Sequence, residues 1–332
     1  MQKDRIPYLD YARVIAAYLV IFGHLLLEDN QIPRYYIYAF HMPFFFLVSG
    51  MLHKLNGTIQ WKKYLRTIGV PLLFFNLFFF FFVNPFYFRY IYIDELVVGN
   101  YWEVLISGFP RLWYGIIGEG NLPSGVTWFL LVLLWCKLMM DIIHNQKKIG
   151  WIIFVVLFVV TIGLHIKILW IRNAMMAFPF YYVGNRYSKQ IEQIASKPKA
   201  LLYAGICFLL LVALVSYNGR ASVNAVWFGG KEVPFFIRFP LFYIIAFIGS
   251  MMMLFVSTRL KSSRIITYLA TSLITILGMQ AIFNDPYRLL CPSDNYLITI
   301  PLAVIILFAC AGIHWLIMKY IPFVLGKTNV KK

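Results

Sequence analysis

Charge is what this sequence has least of. Asp, Glu, Lys and Arg make up 13% of its 332 residues, about half of the roughly 25% usual in a soluble globular chain, which excludes a surface that faces water all round. Acidic residues are scarcer still, 13 against 30 Lys and Arg, and leave a net charge of +17. Cysteine is limited to four: Cys136, Cys207 and Cys310 fall in apolar stretches and Cys291 in a connection, so no disulfide framework is expected. Each reads as a small buried hydrophobe. No grouping of Cys and His has metal-site spacing, and no metal is expected. Also missing are internal repeats, linkers rich in Gly and Ser, and any polar stretch longer than a loop.

What remains is apolar: 61% of residues are hydrophobic and the mean hydropathy is +0.74. Apolar stretches of about 17 to 25 residues follow one another, the length a helix needs to cross the ~30 Å hydrocarbon core, and helices satisfy their own backbone polar groups there. The predicted spans are Asp10–Leu27, Tyr35–Leu52, Gly69–Phe88, Val126–Ile143, Gly150–Leu169, Asn173–Tyr187, Ala200–Tyr217, Pro234–Ser257, Ile265–Phe283 and Asn295–Met318. The expected fold is therefore all-α, a polytopic integral membrane protein of about ten helices, with residues 1–332 forming a single membrane domain. The first span lacks an A-x-A-like cleavage site and contains Arg13 and His24, so it is read as a retained helix and not a signal peptide.

Charge placement orients this set. Lys and Arg concentrate in short cytoplasmic loops, and with both termini cytoplasmic most of them, including Lys54, Lys62, Lys63, Arg66, Lys197, Lys199, Arg259 and Lys261, fall inside. The basic excess then needs no nucleic acid; it reads as topology plus contact with the anionic lipid of the bilayer. Part of it could also hold a phosphorylated substrate. The densest basic connection, His53 to Ile68, carries Lys54, Lys62, Lys63 and Arg66, and two readings stay open: orientation alone, or a clamp for the phosphates of a nucleotide-like donor. The longest connection, Arg89 to Gly125, is expected outside and mixes Asp94, Glu95, Trp102, Glu103, Trp113 and Glu119. Its aromatic residues suit either the membrane interface or sugar contact.

Ionisable residues inside a span are costly and normally face an internal path. Arg13 and His24 lie eleven positions apart, within ~20° of one face at 100° per residue; Asp10 and Glu28 extend the same stripe by one turn at either end. For Asp10 and Arg13 a local ion pair at the interface is the alternative, and for His24 a buried histidine bonded to backbone. The second span opens with Phe40-His41-Met42-Pro43-Phe44-Phe45-Phe46 and continues to Ser49-Gly50. Its opposite direction brings His41 to about the depth of His24. Two histidines at one depth suit a general base and an orienting partner. Pro43 is expected near the helix start, where a missing N–H costs least, and Gly50 permits close approach of another helix.

Arg13 and His24, then Phe40 to Phe46 with Ser49-Gly50, resemble the membrane-bound type 3 acyltransferases that O-acetylate glycans, especially the fucose 4-O-acetylase-like branch. Further similar segments are the basic loop leading to Pro71, Trp128-Phe129-Leu130, and Phe180-Tyr181-Tyr182-Val183-Gly184-Asn185. One departure is Gln280, after Ser272-Leu273, where the family often has a histidine; glutamine donates and accepts hydrogen bonds but cannot take a proton. The resemblance implies transfer of an acetyl group from cytoplasmic acetyl-CoA to a sugar hydroxyl of a cell-surface or lipid-linked glycan, by a multi-pass protein of the plasma or inner membrane. In a mechanism compatible with the residues, His24 is the general base and His41 orients it or the acceptor. Arg13 stabilises an oxyanion or holds donor phosphate, and Asp10 positions Arg13. Lys62, Lys63 and Arg66 bind the donor, and Ser49, Trp128 and Gln280 orient substrate. The rival reading is a non-enzymatic glycan or lipid exporter, since transport paths also use intramembrane Arg, His and Asp. The oligomeric state is open.

Overall fold

The computed structural model of the protein describes residues 6–26, 31–86, 101–117, 122–218, 223, 235–261, 263–293 and 295–327, and every regular element among them is helical. In chain order the helices are α1 (Pro7–Leu25), α2 (Gln31–Met51), α3 (Trp61–Phe86), α4 (Tyr101–Ile117), α5 (Trp128–Gln146), α6 (Lys148–Gly163), α7 (Ile171–Arg186), α8 (Ser188–Ala195), α9 (Ala200–Asn218), α10 (Phe235–Ser257), α11 (Arg264–Met279), α12 (Ala281–Leu290) and α13 (Tyr296–Tyr320). This is the expected all-α, multi-pass membrane architecture, and each predicted span contains a helix. Among the described residues α3, α5, α9, α10 and α13 are each long and apolar enough to cross a bilayer, and α11 with α12 makes a sixth, broken span. Helices α1 and α2 have the length, 19 and 21 residues, but carry Asp10, Arg13, His24, Arg34 and His41. Helices α6 and α7 have 16 residues each, short of the ~20 needed for a straight crossing.

Three features differ from expectation. The span predicted as Ile265–Phe283 is not one helix: it bends by 49° between α11 and α12. The Ser124 hydroxyl donates to the Gly278 carbonyl at 3.0 Å, drawing that carbonyl away from the helix ladder, and Pro286 inside α12 offers no N–H to its preceding turn. Pro43 is not near a helix start, because α2 begins at Gln31; it lies mid-helix and leaves the Ala39 carbonyl without its usual main-chain donor. The connection expected from Arg89 to Gly125 contains α4, where exposed Trp102, Ile106, Phe109 and Trp113 recur at helical spacing. Asp94, Glu95 and Glu119 of that connection, like Glu28 of the first stripe, lie outside the described residues.

The chain divides into two compact units. The first comprises Met1–Lys54, Ala177–Leu273 and Asp294–Val304. Here α2 packs along α10, α10 along α9, and α1 against both α2 and α10. Hydrocarbon offers no hydrophobic drive between helices, so close approach of backbones must hold them. Accordingly α1 buries Ala12, Ala16 and Ala17 completely, and Gly249 of α10 leaves room for the Phe40 ring. The tightest crossing joins α2 to α7. A Cβ on Gly50 would overlap the Tyr181 carbonyl, and one on Gly184 the Leu47 carbonyl. Asn185 Nδ2 clasps the crossing by donating to the Gly50 and His53 carbonyls at 3.1 and 2.7 Å. Tyr181 Oη and His53 Nδ1 bond at 2.7 Å beside them.

The second unit comprises Leu55–Met176, Ile274–Ser293 and Ile305–Lys332. Its α5 packs on α6 and on the start of α3. Helix α3 contains two wider π turns, Leu65–Gly69 and Phe79–Val83. Buried polar groups tie its middle: Asn76 Nδ2 donates to Leu72 O and Thr127 Oγ1 at 2.8 and 2.9 Å, and Asn76 Oδ1 accepts the Ser124 N–H at 3.2 Å. Each such bond contributes about 1 kcal/mol net, and its loss inside a dry protein costs more than its presence gains.

Candidate active site

The polar end of α1 is organised by an aromatic residue of α2. Helix α1 stops at Leu25, so the Gly23 carbonyl is one of those left without a main-chain donor at a helix end. Tyr38 Oη supplies that donor at 3.2 Å. The same oxygen is 3.4 Å from His24 Nδ1. A carbonyl can only accept, so the Tyr38 proton is committed to Gly23 and the His24 contact needs Nδ1–H as donor. That tautomer leaves the His24 Nε2 lone pair available. His41 is fixed by the same logic: its Nδ1 is 2.8 Å from the Ile37 carbonyl, which again requires Nδ1–H and leaves Nε2 as acceptor.

The Tyr38 ring joins the two histidines, with ring centroids 6.0 Å from His24 and 5.0 Å from His41. Arg34 adds its guanidinium 5.1 Å from the centroid of the Tyr38 ring, a cation–π contact. Residues 34, 38 and 41 follow the three-and-four spacing of one helix face, which places all three beside the end of α1. His24 is half-buried and His41 buried. Sequence reasoning missed Tyr38 and Arg34, whose positions next to His41 were the available signal.

At the other end of α1, buried Asp10 forms a salt bridge with Arg13, which also donates through Nε to the Leu9 carbonyl at 3.3 Å. Arg13 keeps 25% of its side-chain surface exposed. The helix between is uninterrupted, so Arg13 and His24 stand about 16 Å apart along the axis. Ser49 is half-buried on α2, one residue before the glycine of the α2–α7 crossing.

In the second unit Lys62, Lys63 and Arg66 occupy the first turns of α3 and are exposed. Lys62 lies over the Trp61 ring at 5.4 Å and Lys63 Nζ donates to Gln60 Oε1 at 3.0 Å. Arg66 Nε donates to the Gly326 carbonyl at 2.9 Å, a contact that needs Gly326 both for its positive φ of 67° and because a Cβ there would strike the Arg66 backbone. Asp141 of α5 anchors this basic segment. Buried among apolar neighbours, it accepts the Gln60 N–H at 3.1 Å and the Tyr64 hydroxyl at 2.8 Å, placing negative charge at the N-terminus of α3 where the helix dipole favours it. Lys137 lies 5.4 Å from the Tyr64 ring centroid on the same side.

Trp128 stacks on Trp170 with centroids 5.8 Å apart, and Trp170 Nε1 donates to the Gly115 carbonyl of α4 at 3.1 Å. Gln280, fully buried at the bend between α11 and α12, reaches the Leu277 carbonyl through Nε2 at 3.5 Å and accepts from Asn284 Nδ2 at 3.4 Å. The structure thus gathers His24 with His41, Asp10 with Arg13, and the three cations of α3 with one another. Among the described residues no group of three or more His, Cys, Asp or Glu is placed to hold a metal ion.

Compared with known families, residues 6–319 match the model of the type 3 acyltransferase domain. No curated protein and no solved structure matches the chain.

Proposed function

We propose that this chain, which belongs to the type 3 acyltransferase family and is therefore a membrane acyltransferase, moves an acetyl group from cytoplasmic acetyl-CoA to a hydroxyl of a cell-surface or lipid-linked sugar. Family membership decides for an enzyme over an exporter. The observation that carries the finer reading is the His24–Tyr38–His41 group, in which both imidazoles are held with Nδ1–H engaged and Nε2 open. A sugar hydroxyl attacks a thioester usefully only when a base removes its proton as the new bond forms. His24 Nε2 takes that proton while the sugar oxygen bonds to the acetyl carbon. The C–S bond then breaks, and the proton passes to the departing thiolate, giving the ester and free CoA. Tyr38 holds His24 in the required tautomer; His41 orients the acceptor.

Arg13 is too far along α1 to touch the carbon on which His24 acts, so its role is to hold the donor, steadied by Asp10. Lys62, Lys63 and Arg66 hold CoA phosphates at the cytoplasmic mouth, and Ser49, Trp128 and Gln280 orient substrate. The Phe40-to-Phe46 segment favours the fucose 4-O-acetylase-like branch, and the positive-inside pattern favours a plasma or inner membrane with both termini cytoplasmic. The test is transfer of label from acetyl-CoA to a panel of glycans by the full-length protein in membranes. Labelled glycan is expected with the native chain and none with His24→Ala; label that reaches no sugar in the panel refutes the acceptor class.

A further inference from the structure

The segment after the bend carries polar residues beyond those already placed in the reaction. Gln280, Asn284 and Arg288 recur every four residues and so share one face. Asn284 is 2% exposed. Its Nδ2 donates to Gln280 Oε1, while its Oδ1 is buried and has no hydrogen-bond partner among the described residues. Arg288 Nε is likewise buried and without a partner. Gln280 itself makes only contacts at 3.4 and 3.5 Å, the outer limit of a useful bond. A buried polar atom left open is costly in protein, and more so in a chain whose solvent is hydrocarbon.

The two open atoms define what would complete them. Asn284 Oδ1 needs a donor and Arg288 Nε–H needs an acceptor, one helical turn or about 6 Å apart. Phosphate and thioester groups offer acceptors only, which leaves Asn284 unmet. Asp285, whose charge acts on Arg288, also weighs against an anion. Hydroxyl groups donate and accept, as do the amides of a pantetheine arm. The charge-based topology puts α12 toward the outer side, next to Cys291, where a surface sugar arrives and CoA does not.

We propose that Asn284 and Arg288 bind the acceptor sugar, Asn284 Oδ1 accepting from one hydroxyl and Arg288 Nε–H donating to the oxygen of another, with Gln280 holding the Asn284 amide in place. This rests on the reading of the acceptor as a sugar. Both atoms are covered as the structure stands, so binding requires side chains of α12 to rotate. Arg288 is half-buried and stands beside exposed Leu289 and Leu290.

The experiment measures acetyl transfer by full-length protein in membranes to a sugar acceptor and to its monodeoxy analogues. If the native chain acetylates no sugar, the acceptor reading fails and this inference falls with it. If it does, one deoxy analogue should show a KM about tenfold above the parent sugar, the scale of a lost hydrogen bond to a site left unpaired. That penalty should vanish in Asn284→Ala, whose KM for the parent sugar rises instead while its KM for acetyl-CoA stays put. Arg288→Met should erase the penalty of a different analogue, and it carries the test alone if Asn284→Ala fails to accumulate. Penalties that are the same in the native chain and the variants overturn the proposal, and so does a rise confined to the acetyl-CoA KM, which would assign the stripe to the pantetheine arm.

Discussion

The side chains around the end of α1 and the cations at the start of α3 are arranged by different physics. His24 and His41 have their proton positions dictated by backbone carbonyls, directly for His41 and through Tyr38 for His24. Lys62 and Lys63, by contrast, are exposed and lean only on their neighbours Trp61 and Gln60. A base works only if its lone pair points where the proton departs, so its orientation must be built into the fold. An anion site needs positive charge within reach and tolerates long side chains that rotate. Substitutions in the first group should therefore act nearly all or none, and those in the second by degrees.

The largest expected effect breaks the first group outright. His24→Ala should lower transfer by about 10²- to 10⁴-fold at near-native abundance, measured by labelled acetyl transfer beside quantified protein in the membrane. Retention of more than half the activity would make His24 a structural residue. Tyr38→Phe should cost about tenfold, the worth of one hydrogen bond with its partner left open. If Tyr38 acts through His24, adding Tyr38→Phe to His24→Ala should cost almost nothing more; additive losses would show that Tyr38 serves packing alone.

The second group should yield smaller, graded changes. Replacing Lys62, Lys63 and Arg66 together with Ala should raise the acetyl-CoA KM roughly three- to tenfold, since exposed ion pairs contribute roughly 0.2–1 kcal/mol each, with acceptor KM little moved. The control is labelling of single cysteines by an impermeant reagent, because loss of three cations can also reverse local insertion. Position 62 should be protected from the outside, and Cys291 should react there. With topology intact and donor KM unmoved, these charges serve orientation only. The smallest effect is of salt: raising ionic strength should increase the acetyl-CoA KM of the native chain and not that of the triple variant.

The placement of helices was legible because apolar runs and basic loops are local signals. So were the Asp10–Arg13 pair, one turn apart, and the close approach at Gly50. The proximity of His24 to His41 could be read as equal depth, but its mediator could not: tyrosine is common near membrane interfaces, and nothing local distinguishes Tyr38 from Tyr35 or Tyr36. The bend at Gln280 was hidden because one of its causes, the Ser124 hydroxyl on the Gly278 carbonyl, lies 154 residues away in sequence. The Arg66 bond to Gly326 spans 260 residues and was invisible for the same reason. Helix α4 was hidden in another way: Gly108 and Pro110 punctuate its sequence as a loop would, although its aromatic spacing was there to be counted.

The two π turns of α3 have a consequence for how this chain can vary. Each wide turn takes up an extra residue relative to α geometry, so each is a place where the helix can lose one residue and close into a regular turn. Such a deletion rotates everything beyond it by about 100° relative to what precedes. A deletion within Leu65–Gly69 would carry Asn76 off its bonds to Thr127 and Ser124 while leaving Lys62 and Lys63 where they are; one within Phe79–Val83 would spare both. Length changes in α3 should therefore be tolerated unequally, with relatives that differ by one residue having gained or lost it at the second turn and kept the first.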